Sequence, residues 1–115
     1  MAAKEKNAVA ITVDQGANPK YQNFTYAPTT LHRDKGQTVA FHIEQGDFVV
    51  RSVTLYFDQS PFTTGETEIL IKDGDKRPEL TLGQRGAFHY KAKAYPVDRE
   101  RQVAFDMWCP SIIVD

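Results

Sequence analysis

Few residues of this chain are of the types that bind metals or carry out covalent catalysis. The chain has three histidines and a single cysteine: His32, His42, His89 and Cys109. His42 and His89 fall on the polar faces of two predicted strands, and two imidazoles on neighbouring strands can begin a zinc site. Such a site needs a third protein ligand, and no residue is placed to supply it. We therefore interpret both histidines as solvent-facing and predict neither a metal site nor a cofactor.

A reactive thiol and a calcium loop are not indicated either. Cys109 lies between Trp108 and Pro110 with no base nearby in the sequence to activate it, so we predict that it behaves as a small buried hydrophobe. The run 73–75 (Asp-Gly-Asp) lacks the further oxygen ligands of a calcium loop and fits a tight turn. No nucleophile elbow or phosphate-binding glycine loop is present. The sequence therefore predicts a protein that is not an enzyme and has no catalytic residues.

The overall charge bears on the partners. Lys and Arg total 14 and Asp and Glu total 15, for a net charge of −1, so no strong field attracts nucleic acid or an anionic membrane. The first residues lack the apolar core of a signal peptide, and one cysteine favours a reducing compartment. We expect a cytoplasmic protein; the alternative is a secreted form from which the signal has been removed.

Strand-like alternation of apolar and polar residues dominates the chain, and no window shows a helical stripe. Alternating runs surround Val9–Val13, Val39–Ile43, Val53–Phe57 and Phe88–Ala94, with shorter ones near Ile69, Leu80, Val103 and Ile112. Turn residues separate the runs. This pattern predicts an all-β sandwich of two sheets with about 7–8 strands, formed by residues 8–115 after a flexible N-terminus at 1–7. Its predicted core comprises Val39, Phe41, Val53, Leu55, Phe88, Tyr90 and Val114.

Several segments resemble the cupredoxins, the copper-binding Greek-key sandwiches of the plastocyanin and azurin type. Residues 24–28 (Phe-Thr-Tyr-Ala-Pro) are similar to an aromatic-x-Pro segment of that family, and 34–41 are similar to its Lys-Gly turn and following strand. Residues 86–95, read with 111–114, resemble its closing strands. The resemblance implies a cupredoxin-like Greek-key sandwich.

The same resemblance implies that the copper ligands are missing. Arg51 stands where the family has its first histidine, Ala92 where it has its cysteine, and Tyr95 where it has its second histidine. The next methionine, Met107, comes well downstream of the usual axial position. A type 1 copper site needs a thiolate and two imidazoles, so we transfer the fold and not the electron-transfer activity.

Four residues form the predicted binding surface: Phe48, Arg51, Tyr95 and Trp108. We expect the guanidinium of Arg51 to lie against an aromatic ring such as that of Tyr95, and to pair with a carboxylate or with loop carbonyls. It would then organise a surface made by the loops 45–50 and 93–108. Exposed aromatics on such loops are typical of recognition surfaces, and the alternative is that these rings serve the core.

The function that we infer from the sequence is a non-enzymatic binding or assembly module without copper, which contacts a protein partner or itself through the edge strands of an open sandwich. The alternative is a metal-dependent redox or enzyme accessory protein that uses His42, His89 or Cys109 at an unconventional site. Carbohydrate binding through the aromatics is a third possibility.

Overall fold

The computed structural model describes residues 7–16, 22–74, 79–106 and 110–115. They form ten strands: β1 (Ala8–Gln15), β2 (Gln22–Ala27), β3 (Thr30–Arg33), β4 (Thr38–Ile43), β5 (Val50–Phe57), β6 (Glu68–Lys72), β7 (Leu80–Thr81), β8 (Gly86–Pro96), β9 (Ala104–Asp106) and β10 (Ser111–Val114). None of the described residues lies in a helix, and so none forms a helix that could span a membrane.

The strands form two mixed sheets that pack face to face. The small sheet has the order β2-β1-β4-β7, and the large sheet has the order β3-β10-β8-β5-β6, with β9 also paired to β8. Two pairs, β1 with β4 and β10 with β3, run parallel, whereas the other pairs are antiparallel. The predicted all-β sandwich of two sheets is therefore confirmed.

The core lies between the sheets and is built by alternation. On β8, for example, Phe88, Tyr90, Ala92 and Ala94 are buried while His89 and Lys91 are exposed. All the residues predicted for the core are at most 7% exposed, and they are Val39, Phe41, Val53, Leu55, Phe88, Tyr90 and Val114. The ring of Tyr90 lies at its centre, 4.9 Å from that of Phe57 and 5.9 Å from that of Phe41 between ring centroids.

Two strands go beyond the predicted 7–8. β2 and β3 flank Pro28 and Thr29, and each lies at the edge of its sheet. Edge strands bury fewer side chains, so their alternation is weak: Leu31 is the buried side chain of β3 and Tyr26 that of β2.

The folded domain also includes Asn7, which we had assigned to the flexible N-terminus. Its side-chain amide donates a 2.9 Å hydrogen bond to the hydroxyl of Thr38, and its carbonyl accepts one of 2.8 Å from the backbone of Ala40. These bonds extend the pairing of β1 with β4 by one residue. The rest of that predicted terminus, 1–6, lies outside the described residues.

Candidate functional site

A β-bulge in β5 places Arg51 on the outer face of the large sheet. Val50 pairs with Pro96 and Ser52 pairs with Tyr95, so Arg51 is an extra residue opposite one step of β8. A bulge redirects a side chain without ending the strand. The Arg51 side chain is exposed, while Val50 and Ser52 on either side are buried.

Arg51 lies over the ring of Tyr95, with its guanidinium carbon 5.5 Å from the ring centroid. The predicted stacking is therefore observed. The second partner that we expected for Arg51, a carboxylate or a loop carbonyl, is not found among the described residues. Its charge faces solvent beside an aromatic ring, where a cation–π contact contributes about 0.5–1 kcal/mol.

Lys93 brings a second cation to the same ring. Its ammonium lies 5.2 Å from the centroid of Tyr95 and 5.5 Å from that of Phe105. Phe105 is the directly paired residue on β9 and is 62% exposed. Two aromatic rings and two cations thus alternate across the outer face, in an order that runs Arg51, Tyr95, Lys93, Phe105.

Small residues of β5 form the floor of a groove beside these rings. Ser52 and Thr54 lie between larger side chains of β6 and β8, because Ser52 pairs with both Lys72 and Tyr95. The resulting open cavity has a volume of about 480 Å³ and its walls are formed by Arg51, Tyr95, Leu70 and Lys72. We call it the outer groove. Its walls stand on strands two spacings apart, about 9.5 Å from backbone to backbone.

A second cavity adjoins the first at the β8–β9 turn. It measures about 350 Å³ and is lined by Arg51, Tyr95, Pro96, Arg99, Arg101 and Val103. Arg51 and Tyr95 therefore form a wall that both cavities share. The turn itself is fixed by Asp98, whose carboxylate accepts a 3.0 Å hydrogen bond from the backbone of Glu100.

The outer face of β5, β6 and β8 is locally cationic. Its outward side chains include Arg51, Lys72, Lys91 and Lys93, against the single carboxylate of Glu68. On the same face, burial raises the pKa of Tyr56 above its ordinary value, and the neighbouring Tyr95 phenol adds to the shift. The packed phenols and cations form one continuous surface.

Two parts of the predicted binding surface need correction. Phe48 is 2% exposed and belongs to the core; the guanidinium carbon of Arg101 lies 5.3 Å from the centroid of its ring. The backbone N–H of Phe48 donates a hydrogen bond to the carbonyl of Val13, which holds the 44–49 loop against β1. The predicted 93–108 loop is a strand up to Pro96 and again over β9, leaving a turn at 97–103. Trp108 lies outside the described residues.

The residues at the places of the copper ligands do not fit a copper site. Ala92 and Tyr95 are three residues apart on one strand, so they point to opposite faces: Ala92 is 2% exposed in the core, while Tyr95 lines the outer groove. Ala92 has no donor atom and Arg51 is a permanent cation. Met107 and Cys109 lie outside the described residues, whose His, Asp and Glu side chains form no metal-binding group of three or more.

The two histidines of the alternative metal hypothesis are on different sheets. His42 belongs to β4 of the small sheet and His89 to β8 of the large sheet, and both are exposed. Exposed side chains of two sheets packed face to face point away from each other. The prediction that these residues are solvent-facing is confirmed, and the strands that carry them are not neighbours.

A buried polar cluster inside the sandwich was not predicted. Asp106 of β9 is 3% exposed and accepts a 2.5 Å hydrogen bond from the hydroxyl of Tyr26. The hydroxyl of Tyr90 lies buried nearby with no hydrogen-bond partner among the described residues. Burial and the neighbouring Asp106 charge raise the pKa of Tyr90 above its ordinary value. Ala104 and Asp106 of β9 face inward and Phe105 faces out.

The comparisons with known proteins support the fold. No family model and no curated protein matches the chain. Among solved structures it is similar to "Novel Purple Cupredoxin from Nitrosopumilus maritimus", with a TM-score of 0.50 and 17% sequence identity over 96% of this chain and 100% of that one. The chain has a cupredoxin-like fold, and at this level of identity the similarity extends to the fold alone.

Proposed function

We propose that this cupredoxin-like domain is a non-enzymatic binding module without copper, which holds an acidic, extended segment of a protein partner in the outer groove. The observation that carries the proposal is the contact of both Arg51 and Lys93 with the ring of Tyr95, whose centroid lies 5.5 Å from the guanidinium carbon and 5.2 Å from the ammonium. We place the protein in a reducing, cytoplasmic compartment, in keeping with its single cysteine.

Charge favours an acidic ligand of limited length. Four cations on the outer face attract a short anionic segment, whereas the chain as a whole carries a net charge of −1. The affinity of a nucleic acid depends on how many of its phosphates a protein neutralises. A long polyanion of this kind would extend beyond this face and be repelled by the acidic residues around it. A peptide with a few carboxylates matches the size of the cationic area better.

The apolar side chains in the groove and on the neighbouring strand β9 favour a peptide with alternating side chains. Leu70 is 46% exposed and Phe105 is 62% exposed, so apolar side chains can be buried beside the cations. Tyrosine and arginine are the residue types that most often dominate binding energy at protein interfaces. An extended chain presents every second side chain to the groove, so a segment that alternates acidic and apolar residues satisfies both requirements.

The test uses a fluorescently labelled ten-residue peptide of alternating Glu and Phe, followed by anisotropy at low and at high salt. We expect Arg51→Ala and Tyr95→Ala each to weaken binding by about fivefold to tenfold, equivalent to ~1–1.4 kcal/mol. Binding by the parent protein should fall as salt rises, because exposed charges are screened.

The matched control is Arg85→Ala. Arg85 is exposed and stands beside the start of β8, about 33 Å along the strand from Tyr95, so its loss should leave binding unchanged. Equal losses for Arg51→Ala and Arg85→Ala would indicate a general charge effect and refute the groove as the site. Tighter binding of a thymidine oligonucleotide or of a neutral oligosaccharide than of the peptide would contradict an acidic peptide as the ligand class.

A further inference from the structure

The outer edge of the large sheet at β6 has a defined set of outward-facing backbone groups. β6 is the last strand in the order of that sheet. The backbone N–H of Phe57 donates to the carbonyl of Thr67, and that of Asp73 donates to the carbonyl of Arg51. In an antiparallel pair, alternate residues direct both backbone groups to the neighbouring strand. The odd-numbered residues of β6 therefore bond to β5, and the even-numbered ones direct their backbone groups outward.

The even-numbered residues of β6 are Glu68, Leu70 and Lys72. All three side chains are exposed, whereas Ile69 and Ile71 between them are buried in the core. No hydrogen bond from another described loop or strand reaches the outward backbone groups of these residues. An open edge of this kind is a template for pairing with another strand.

This edge is complementary to itself. When two copies of β6 run antiparallel with Leu70 opposite Leu70, each Glu68 faces a Lys72 of the other copy. Opposite charges on directly paired residues stabilise a sheet and like charges destabilise it. The central pair buries a leucine that is 46% exposed in the single chain. The backbone pattern agrees with this register, because residues 68, 70 and 72 would then form hydrogen-bonded pairs, with about six bonds in all.

We propose that β6 is a homodimer interface, at which a second copy of this chain pairs antiparallel about Leu70. The pairing joins the two large sheets into one continuous sheet across a two-fold axis. A surface of five paired residues is at the small end of specific interfaces, so the dimer forms in a concentration-dependent equilibrium. Leu70 and Lys72 also line the outer groove, and the two grooves would then lie side by side on one face.

The first test is sedimentation equilibrium of the parent protein and of Leu70→Pro, from about 10 µM to about 1 mM, the range of a weak interface. Proline removes one backbone N–H and is tolerated in an edge strand where that N–H faces outward. Because the N–H of Leu70 does not bond to β5, the variant should keep the circular dichroism of the parent and lose its dimer. A parent protein that stays monomeric up to about 1 mM would overturn the proposal.

The second test exchanges the charges. Glu68→Lys and Lys72→Glu should each weaken self-association by about tenfold, because each places like charges opposite each other twice. The double variant should regain the parent's affinity, and an equimolar mixture of the two single variants should form a heterodimer. The control Glu44→Lys, in the loop that follows β4 of the small sheet, should dimerise like the parent. Dimers that respond equally to Glu44→Lys and Glu68→Lys would refute β6 as the interface.

Discussion

Replacing two tyrosines of the buried polar cluster by phenylalanine should have different effects on the free energy of unfolding. Tyr26 is 6% exposed and its hydroxyl donates to Asp106, while Tyr90 is 1% exposed and its hydroxyl has no partner among the described residues. The rings themselves touch, with centroids 5.8 Å apart. Replacing each by phenylalanine removes one oxygen from nearly the same environment, so the pair isolates the effect of the hydrogen bond.

The expected changes in the free energy of unfolding follow from the surroundings of the two hydroxyls. The 2.5 Å distance from Tyr26 to Asp106 is typical of a charge-assisted bond, and hydrogen bonds to charged groups contribute about 1.5–3 kcal/mol. Tyr26→Phe should lower the free energy of unfolding by that amount. Tyr90→Phe removes a hydroxyl that was desolvated without compensation, so it should leave stability unchanged or raise it by up to about 2 kcal/mol.

The assay is urea denaturation near neutral pH, with the free energy of unfolding obtained by linear extrapolation. Each variant serves as the control for the other, because both lose the same atom and keep the ring. A loss of more than about 1 kcal/mol for Tyr90→Phe would show that the Tyr90 hydroxyl has a hydrogen-bond partner and would refute the prediction. Equal losses for the two variants would contradict it as well.

Three further predictions concern the core, an acidic side chain and copper. Phe41→Ala should lower the free energy of unfolding by about 3–5 kcal/mol, measured by denaturant titration, because it leaves a large cavity; a loss below about 1 kcal/mol would contradict its core position. Hydrogen bonds from Asn7 and Thr38 hold the pKa of Glu79 below its ordinary value, so the contribution of its carboxylate to stability is present above the ordinary pKa and is lost as pH falls through the lowered pKa. Glu79→Gln should therefore be less stable than the parent near neutral pH and equal to it well below the lowered pKa, in denaturation curves recorded at both. Protein from copper-supplemented medium should lack an intense visible band; a band that disappears in Cys109→Ser would identify a thiolate ligand.

The sandwich could be predicted because its strands alternate strongly and its turns carry glycine, proline and aspartate. β4 and β8 each bury every second side chain, and that pattern is directly visible in the sequence. The apolar residues Val53, Leu55 and Phe57 of β5 alternate in the same way, although Ser52 and Thr54 between them are also buried. β2 and β3 could not be found in this way, since each is an edge strand with few buried residues.

The candidate site was predicted in part. Arg51 and Tyr95 were brought together by the resemblance, which aligned them with positions on neighbouring strands. The exposure of a loop aromatic depends on how the loop folds back, and Phe48 is buried because its loop bonds to β1. The inward orientation of Asp106 was not predictable. The apolar residues Val103 and Phe105 alternate with polar or small ones, and this pattern predicts that Val103 and Phe105 face the core.

The position of β10 in the large sheet has a consequence for how the protein forms during synthesis. β3 pairs with β10 as its strand neighbour, and the hydroxyls of Thr30 and Ser111, which bond at 3.3 Å, are 81 residues apart in sequence. While the ribosome has not yet released Ser111–Val114, β3 has no strand beside it, and the Gly86–His89 part of one edge of β8 stays unpaired. Contacts between residues so distant in sequence form slowly. We therefore expect the large sheet to close only once Ser111–Val114 has left the ribosome, and until then its unpaired edges are exposed to other nascent chains.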